Sequence, residues 1–346
     1  MEITENISLA PFTTFGIGGP ARWFAEAADE DEIVEATEWA RGRGVPLFVL
    51  GGGSNLLVSD RGFPGLVLHI AVKGIERDGA LFRVGAGVNW DDCVDQAIEF
   101  GFAGMECLAG IPGTVGGTPV QNVGAYGQEV SNLIEQVRAY DLEARKFVEF
   151  SRAECGFAYR RSRFNTTDRG RYVVTRVDYR MWPRGSGGPD LSYDDLRAYF
   201  MHRRKVPTIE EVAGVVREIR RSKGMLLVEG DPDCRSAGSF FKNPEVEPLL
   251  GERIRREANS IGPPLRIYVT QEGLLKLPAA RLIELAGFAK GYTLGAAGIS
   301  SRHTLALINR GGARAEEILA LAEKIRAAVE ARFGVRLERE PVLVGY

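Results

Sequence analysis

The sequence predicts an α+β chain built from more than one packed unit. Its 346 residues at 45% hydrophobic content exceed the size of an ordinary single domain. Helical periodicity marks 29–44, 208–222 and 315–333, while the middle of the chain shows strand-like runs in place of a regular strand-helix alternation.

Taken in order, residues 29–44 put Ile33, Ala36 and Ala40 on one helical face behind an acidic first turn. Residues 45–50 then read as a short buried strand that runs into Gly51-Gly52-Gly53. After the turn-rich Asp60-Arg61-Gly62-Phe63-Pro64-Gly65 come strand-like runs at 66–70 and 81–84. A helix follows with Trp90, Cys93, Val94, Ala97 and Ile98 on one stripe. Between 133 and 150, β-branched and aromatic residues flank Glu143-Ala144-Arg145, which predicts two strands and a turn, and 172–182 supplies another strand. Arg184-Gly185-Ser186-Gly187-Gly188-Pro189 reads as a loop leading to Leu191-Ser192-Tyr193-Asp194-Asp195. Thr208 and Glu211 form a capping box for a helix that buries Ile209, Val212, Val216 and Ile219 and ends near Ser222. Farther on, Pro278 opens a helix at 279–286, 304–309 is a strand, and 315–333 is a long helix with Ile318, Leu321, Ala322, Ile325 and Val329 inward. Residues 335–345 read as a closing strand, and no internal repeat is visible.

The charge balance is 44 Lys and Arg against 46 Asp and Glu, scattered along the chain, so no nucleic-acid partner is expected. No apolar run approaches the roughly 20 residues of a bilayer span, and the first residues carry acids where a secretory signal carries Lys or Arg. A cytoplasmic protein without membrane association is the expectation, and a monomer, since no apolar helix face asks for a partner. Cys93, Cys107, Cys155 and Cys234 lie far apart with no CxxC pair, which fits unlinked thiols. With three histidines besides, no metal site is expected.

Three tracts can turn backbone N–H groups toward a diphosphate: Leu50-Gly51-Gly52-Gly53-Ser54-Asn55, Ile111-Pro112-Gly113-Thr114-Val115-Gly116-Gly117 and Asn122-Val123-Gly124-Ala125-Tyr126-Gly127. Each alone also reads as an ordinary turn. Neither GxxxxGK[ST] nor a GxGxxG opening a helix near the N-terminus is present, which counts against a Walker-type kinase and a Rossmann enzyme. A polar set accompanies the tracts: Tyr159-Arg160-Arg161-Ser162 after Phe157, Ser236-Ala237-Gly238-Ser239-Phe240-Phe241-Lys242-Asn243-Pro244, and Leu337-Glu338-Arg339-Glu340-Pro341. Singly, Arg160 also reads as a surface ion-pair partner, Ser239 as a turn cap and Glu340 as a solvated strand residue.

Read in order with Thr14-Phe15-Gly16-Ile17-Gly18-Gly19 and Gly85-Ala86-Gly87, these motifs resemble the UDP-N-acetylenolpyruvoylglucosamine reductase family over nearly the whole chain. The resemblance implies the vanillyl-alcohol-oxidase type of fold, with a PCMH-like FAD-binding region of two α+β subdomains (1–71 with closing strand 336–346, and 72–207) and an α+β substrate-binding domain (208–335). It implies bound FAD, NADPH as co-substrate, and a small nucleotide-sugar substrate whose enolpyruvyl ether is reduced. Ser239 matches the family's proton-donating serine, and Arg160 and Glu340 match its other two active-site residues. The FAD contacts would come from Gly51, Gly52, Gly53, Ser54, Asn55, Ile111, Pro112, Gly113, Gly116, Gly117, Asn122, Gly124, Ala125 and Tyr126. Residues 191–196 resemble the tyrosine-bearing loop of the longer subclass, with Tyr193 covering the diphosphate, and Lys223, Asn243 and His303 fall at nucleotide-contacting positions. The chain departs from the pattern after Lys223, where Gly224-Met225 stands for a frequent Leu-Pro and residues 226–234 are extra. Another flavin oxidoreductase of the same fold, or a flavin-free protein that binds a nucleotide sugar, would share many of these features.

Overall fold

The computed structural model describes residues 1–185, 191–270 and 272–346, which form two compact units interleaved along the chain. The first comprises residues 1–7, 21–53 and 63–221, and the second comprises residues 8–20, 54–62 and 222–346. Both are α+β. From residue 186 on, the expected loop at 184–189 lies outside the described residues.

In the first unit, a four-stranded sheet runs in the order Thr4–Ser8, Pro20–Ala27, Phe63–Ile70, Leu47–Leu50. Phe63–Ile70 pairs in parallel with both of its neighbours. The Glu30–Gly42 helix connects two of these strands, and its cap forms as the acidic start suggests, with Asp29 accepting from the Glu32 N–H. Ile33, Ala36 and Ala40 are buried as the periodicity requires. A second sheet is antiparallel, in the order Lys146–Ser151, Ile134–Asp141, Tyr172–Arg180, Leu81–Gly85, Ile75–Asp78. Glu30 ties the helix to that sheet, accepting from Arg138 Nε and Nη2 at 2.8 and 2.9 Å and from the Thr175 hydroxyl at 2.7 Å. The Arg138 hydrogen bond holds the Glu30 carboxyl below its usual range against the opposing effect of burial.

The Trp90–Glu99 helix, capped by Asn89, buries the five residues of its predicted stripe. Thr208 and Glu211 exchange their capping-box bonds at 2.9 and 3.3 Å, and the Ile209–Ser222 helix packs Val212 and Val216 into the same core as Leu66, Phe82 and Val177. Beside the expected boundary at 207/208, the structure thus groups this helix with the residues that precede it. All four cysteines are buried thiols, and burial pushes Cys93 up to about 12, well outside the reactive range.

The second unit surrounds the Ala315–Phe333 helix, whose Ile318, Leu321, Ile325 and Val329 are fully buried. Around it lie the Pro248–Ile261 and Ala279–Leu285 helices and two three-stranded antiparallel sheets, Glu245–Val246, Leu275–Lys276, Tyr268–Val269 and Thr293–Leu294, Ala297–Ile299, Leu307–Asn309. Leu56–Val58 pairs in parallel with Val342–Val344. Asp60 caps the long helix from this distant turn, accepting from the Ala315 N–H at 3.0 Å and the Glu316 N–H at 3.3 Å.

Several elements depart from expectation for local reasons. The strand expected at 335–345 is regular only over Val342–Val344, because Pro341 has no N–H to give and residues 338–340 bond to 240–242 instead. The strand expected at 304–309 shortens to Leu307–Asn309, since Ala306 N–H turns back onto the His303 carbonyl. The segment expected as a tyrosine loop becomes the Asp194–Phe200 helix just after Tyr193, with two acids in its first turn and Leu196 and Phe200 buried at i, i+4 spacing.

Ile325→Ala is expected to cost about 2–5 kcal/mol, the range for truncating a buried isoleucine. Glu323→Ala, on the exposed face of the same helix, should stay within about 0.5 kcal/mol of the parent. Chemical denaturation of the two variants checks this, and equal losses would refute the packing described.

Candidate active site

In the first unit, the Leu47–Leu50 strand delivers residues 51–53 directly against the Ile111 tract. A Cβ on Gly52 would lie 2.5 Å from Gly113 Cα, and one on Gly51 would lie 3.0 Å from Thr114 Oγ1. Two main chains therefore touch here, an approach that only glycine permits. The Ile111 tract is held in turn by a short ladder: Trp90 N–H to Gly113 O at 3.0 Å, Val115 N–H to Val88 O at 2.9 Å and Gly116 N–H to Ala86 O at 2.8 Å. Just ahead of it, Gly110 is clamped at both polar atoms. Its N–H donates to Asp91 Oδ1 at 2.6 Å, and its carbonyl accepts from Arg220 Nε at 2.9 Å.

The third tract folds as a hairpin, Gly124–Ala125 against Gln128–Glu129, with Tyr126 and Gly127 both at positive φ in the two-residue turn that such strands favour. Asn122 also sits at positive φ, and its buried side chain is used by the protein, donating to Glu129 at 2.8 Å and Ala158 O at 3.1 Å and accepting from the Ser131 N–H. Arg160 lies at the tip of a turn closed by Ala158 and Arg161, at φ +54, and donates from Nη2 to Gly124 O at 2.9 Å. Holding a non-glycine residue there costs about 1–2 kcal/mol, a strain that aims the guanidinium at the third tract.

A chain of aromatic and cationic groups continues from this point. The Tyr193 ring meets the Tyr126 ring edge to face at a centroid distance of 5.2 Å. Tyr126 is buried and bonds through its side chain to Arg220, and burial pushes its phenol up to about 12. Burial also pushes the Arg220 guanidinium down, with Arg160 adding to the effect and Tyr126 and Asp91 opposing it. Sequence reasoning missed Arg220 and Asp91. Arg220 stands in the arginine-rich last turn of its helix, yet four residues beyond Val216 on the buried face.

In the second unit, Ser239 and Glu340 are brought together through the backbone. Glu340 N–H donates to Phe240 O at 2.9 Å, Phe241 bridges to Arg339, and Lys242 N–H donates to Glu338 O at 2.9 Å. Both residues are half-buried. Asn55 embraces the same point, with Nδ2 on Glu340 O at 3.4 Å and its carbonyl accepting from Val342 N–H at 2.9 Å. Asn243 Oδ1 accepts from the Ala279 N–H at 2.9 Å, capping that helix. His303 Nδ1 accepts from Leu305 N–H at 3.1 Å, which places the ring proton on Nε2. Lys223, half-buried, lies at the start of this unit's last stretch.

The first unit's residues fit a flavin dinucleotide. The main chains at Gly52 and Gly113 meet with no side chain between them, Gly53 and Gly113 sit at positive φ, and the buried Thr114 hydroxyl has no hydrogen-bond partner within the protein, a cradle whose backbone amides can serve a diphosphate. Residues 21–144 match the family model described as FAD binding domain, and residues 231–344 match the one described as UDP-N-acetylenolpyruvoylglucosamine reductase, C-terminal domain. A protein of that name from Streptomyces coelicolor is 45% identical over 99% of this chain and 90% of its own length. The chain belongs to the UDP-N-acetylenolpyruvoylglucosamine reductase family. A Thermobifida fusca member is 44% identical over 99% of this chain and 98% of its own. The crystal structure of the Thermus caldophilus reductase, 28% identical, superposes at a TM-score of 0.69 and covers 99% of each chain. The fold is accordingly the FAD-binding α+β type with a C-terminal reductase-family domain, as the sequence motifs imply.

Gly52→Ala should force the two tracts apart and yield a nearly colourless protein, read as the ratio of visible flavin absorbance to protein absorbance. Gly214→Ala, on an exposed helix position where an added Cβ meets nothing, should keep its flavin. Full flavin content in the Gly52 variant would remove that contact from cofactor binding.

Proposed function

We propose that this chain reduces UDP-N-acetylenolpyruvoylglucosamine to UDP-N-acetylmuramate, a precursor of peptidoglycan, with NADPH as reductant. The observation that supports it most is the pairing of the Ser239 segment with Glu340 in a chain that carries a family FAD-binding domain. FAD, held by the backbones of the three glycine tracts, would supply hydride chemistry at the methylene carbon of the enolpyruvyl double bond, with NADPH as the reductant. Addition there leaves negative charge on the adjacent carbon, delocalised into the carboxylate.

Each polar residue then has one task. Arg160 holds the carboxylate bidentately and stabilises the charge as it develops. Glu340 completes the electrostatic frame next to the Ser239 segment. The Ser239 hydroxyl gives its proton to the carbanionic carbon and recovers one from water. A serine is an ordinarily weak acid, so placement at the reacting carbon supplies much of the effect. The three glycine tracts hold the flavin through their backbones, while Tyr193 covers the substrate diphosphate. Lys223 faces the nucleotide phosphates. Asn243, whose Oδ1 is engaged by the Ala279 helix, offers its amide as a donor, and His303 offers Nε2–H. The reading places a monomer in the cytoplasm with no nucleic-acid partner. Among the described residues no helix is long and apolar enough to cross a membrane.

Turnover tests the reading directly: the flavin-loaded protein should oxidise NADPH only when the enolpyruvyl nucleotide is present. Ser239→Ala should leave reduction of the flavin by NADPH intact and slow its reoxidation by substrate by about 10²-fold or more, the usual scale for a positioned proton donor. Near-normal turnover would take Ser239 out of the mechanism. Tyr193→Phe should weaken substrate binding by about 1.5–3 kcal/mol through loss of one hydroxyl contact to a charged group. Titration of the flavin spectrum with substrate reads it, and an unchanged affinity would refute the assignment of Tyr193.

A further inference from the structure

The extra segment 226–234 ends in a knot of charge that none of the roles above uses. Asp233 is only 6% exposed. One of its carboxylate oxygens accepts from Ser301 N–H at 3.0 Å, and the other accepts from the Ser301 hydroxyl at 2.6 Å and faces Arg302 Nε at 3.3 Å. Arg302 Nη1 donates to Asp231 Oδ2 at 2.7 Å, and Asp231 Oδ1 accepts from the Asp233 N–H at 3.0 Å. One guanidinium therefore bridges two carboxylates on a single short turn. Burial works to raise the Asp231 carboxyl, and the Arg302 hydrogen bond together with the Asp233 N–H overrides it and holds it below its usual range.

Both flanks of the knot lead to residues assigned to the nucleotide. On one side, Gly224 turns at φ +65, and a Cβ there would lie 3.0 Å from Asp233 Cβ and 3.3 Å from Ser300 Oγ, so the main chain after Lys223 rests on the knot. On the other, Ser300 Oγ accepts from Arg302 N–H at 3.1 Å and His303 N–H at 3.3 Å, which sets the course of the turn that carries the imidazole. We propose that Asp233 and Arg302 are positioning residues that hold Lys223 and His303 in a common frame for the uridine-diphosphate end of the substrate. The proposal deepens the function above and rests on its assignment of Lys223 and His303. It also gives the extra segment a purpose: the added residues bring two carboxylates to the one arginine that follows Ser301.

The experiment uses the flavin-loaded full chain and compares Arg302→Met, Arg302→Lys and Asp233→Asn with the parent. UDP serves as a binding probe, and the enolpyruvyl nucleotide serves as substrate. Arg302→Met and Asp233→Asn should raise KM for the nucleotide and Kd for UDP at least fivefold, with kcat, the rate of flavin reduction by NADPH and the visible spectrum unchanged. Arg302→Lys should recover part of the affinity. Arg302 is half-exposed, so its variants decide the matter even where Asp233→Asn folds poorly. Unchanged KM and Kd in Arg302→Met and Asp233→Asn, beside an active parent, would overturn the proposal and leave the reductase reading standing. A uniform fall in affinity, kcat and flavin reduction would make the knot a plain structural staple and overturn it too. A flavin-loaded parent that ignores the nucleotide would sink both.

Discussion

The close passage of Gly52 over Gly113 is the constraint on which the first unit's binding surface depends. Two main chains meet with no side chain between them, so N–H groups from separate tracts can face one ligand. The surrounding structure is arranged to keep that passage in place. The Ile111 tract hangs on residues 86–90 by a ladder, and Gly110 is gripped at its N–H by Asp91 and at its carbonyl by Arg220. A buried guanidinium is costly unless its donors are satisfied, and here the cost is offset by fixing a backbone carbonyl and a phenol at once.

Much of this was legible in the residues. The 315–333 helix matched to the residue because its apolar period is long and uninterrupted, and the Thr208–Glu211 box is a local code that no tertiary contact has to rescue. The glycine tracts were recognisable as tracts, and only the family resemblance brought them to one flavin. Nothing in the order of residues says that position 52 will touch position 113, since that contact follows from how separate elements pack. The same limit hid the second unit's membership. Its short parallel pair joins Leu56–Val58 to Val342–Val344, a pairing too remote in sequence for periodicity to register, although the family resemblance grouped closing strand 336–346 with residues 1–71. The Asp194–Phe200 helix escaped because seven residues carry little periodic signal, although its acidic start and two apolar residues four apart were present. The Pro248–Ile261 helix escaped despite a proline at its first turn and Ile254 and Ala258 four apart.

Several residues proposed for ligands also serve the fold. Asn122 and Asn243 spend side-chain groups on the protein itself, one joining a hairpin to a neighbouring loop and the other capping a helix. Position and chemistry are coupled at such residues, so a substitution there mixes lost binding with lost architecture. Arg160 differs. It carries backbone strain at φ +54, and its guanidinium bonds to Gly124 O, so one charged side chain ties its turn to the third glycine tract.

The parallel pairing of Leu56–Val58 with Val342–Val344 bears on how the molecule is made. Leu56–Val58 has no other strand partner among the described residues, and most of the chain separates it from the one it has. The unit therefore cannot close from its early segment alone: that apolar strand stays unpaired until the distant one exists, and a loop of this length makes the pairing a slow, non-local step of folding.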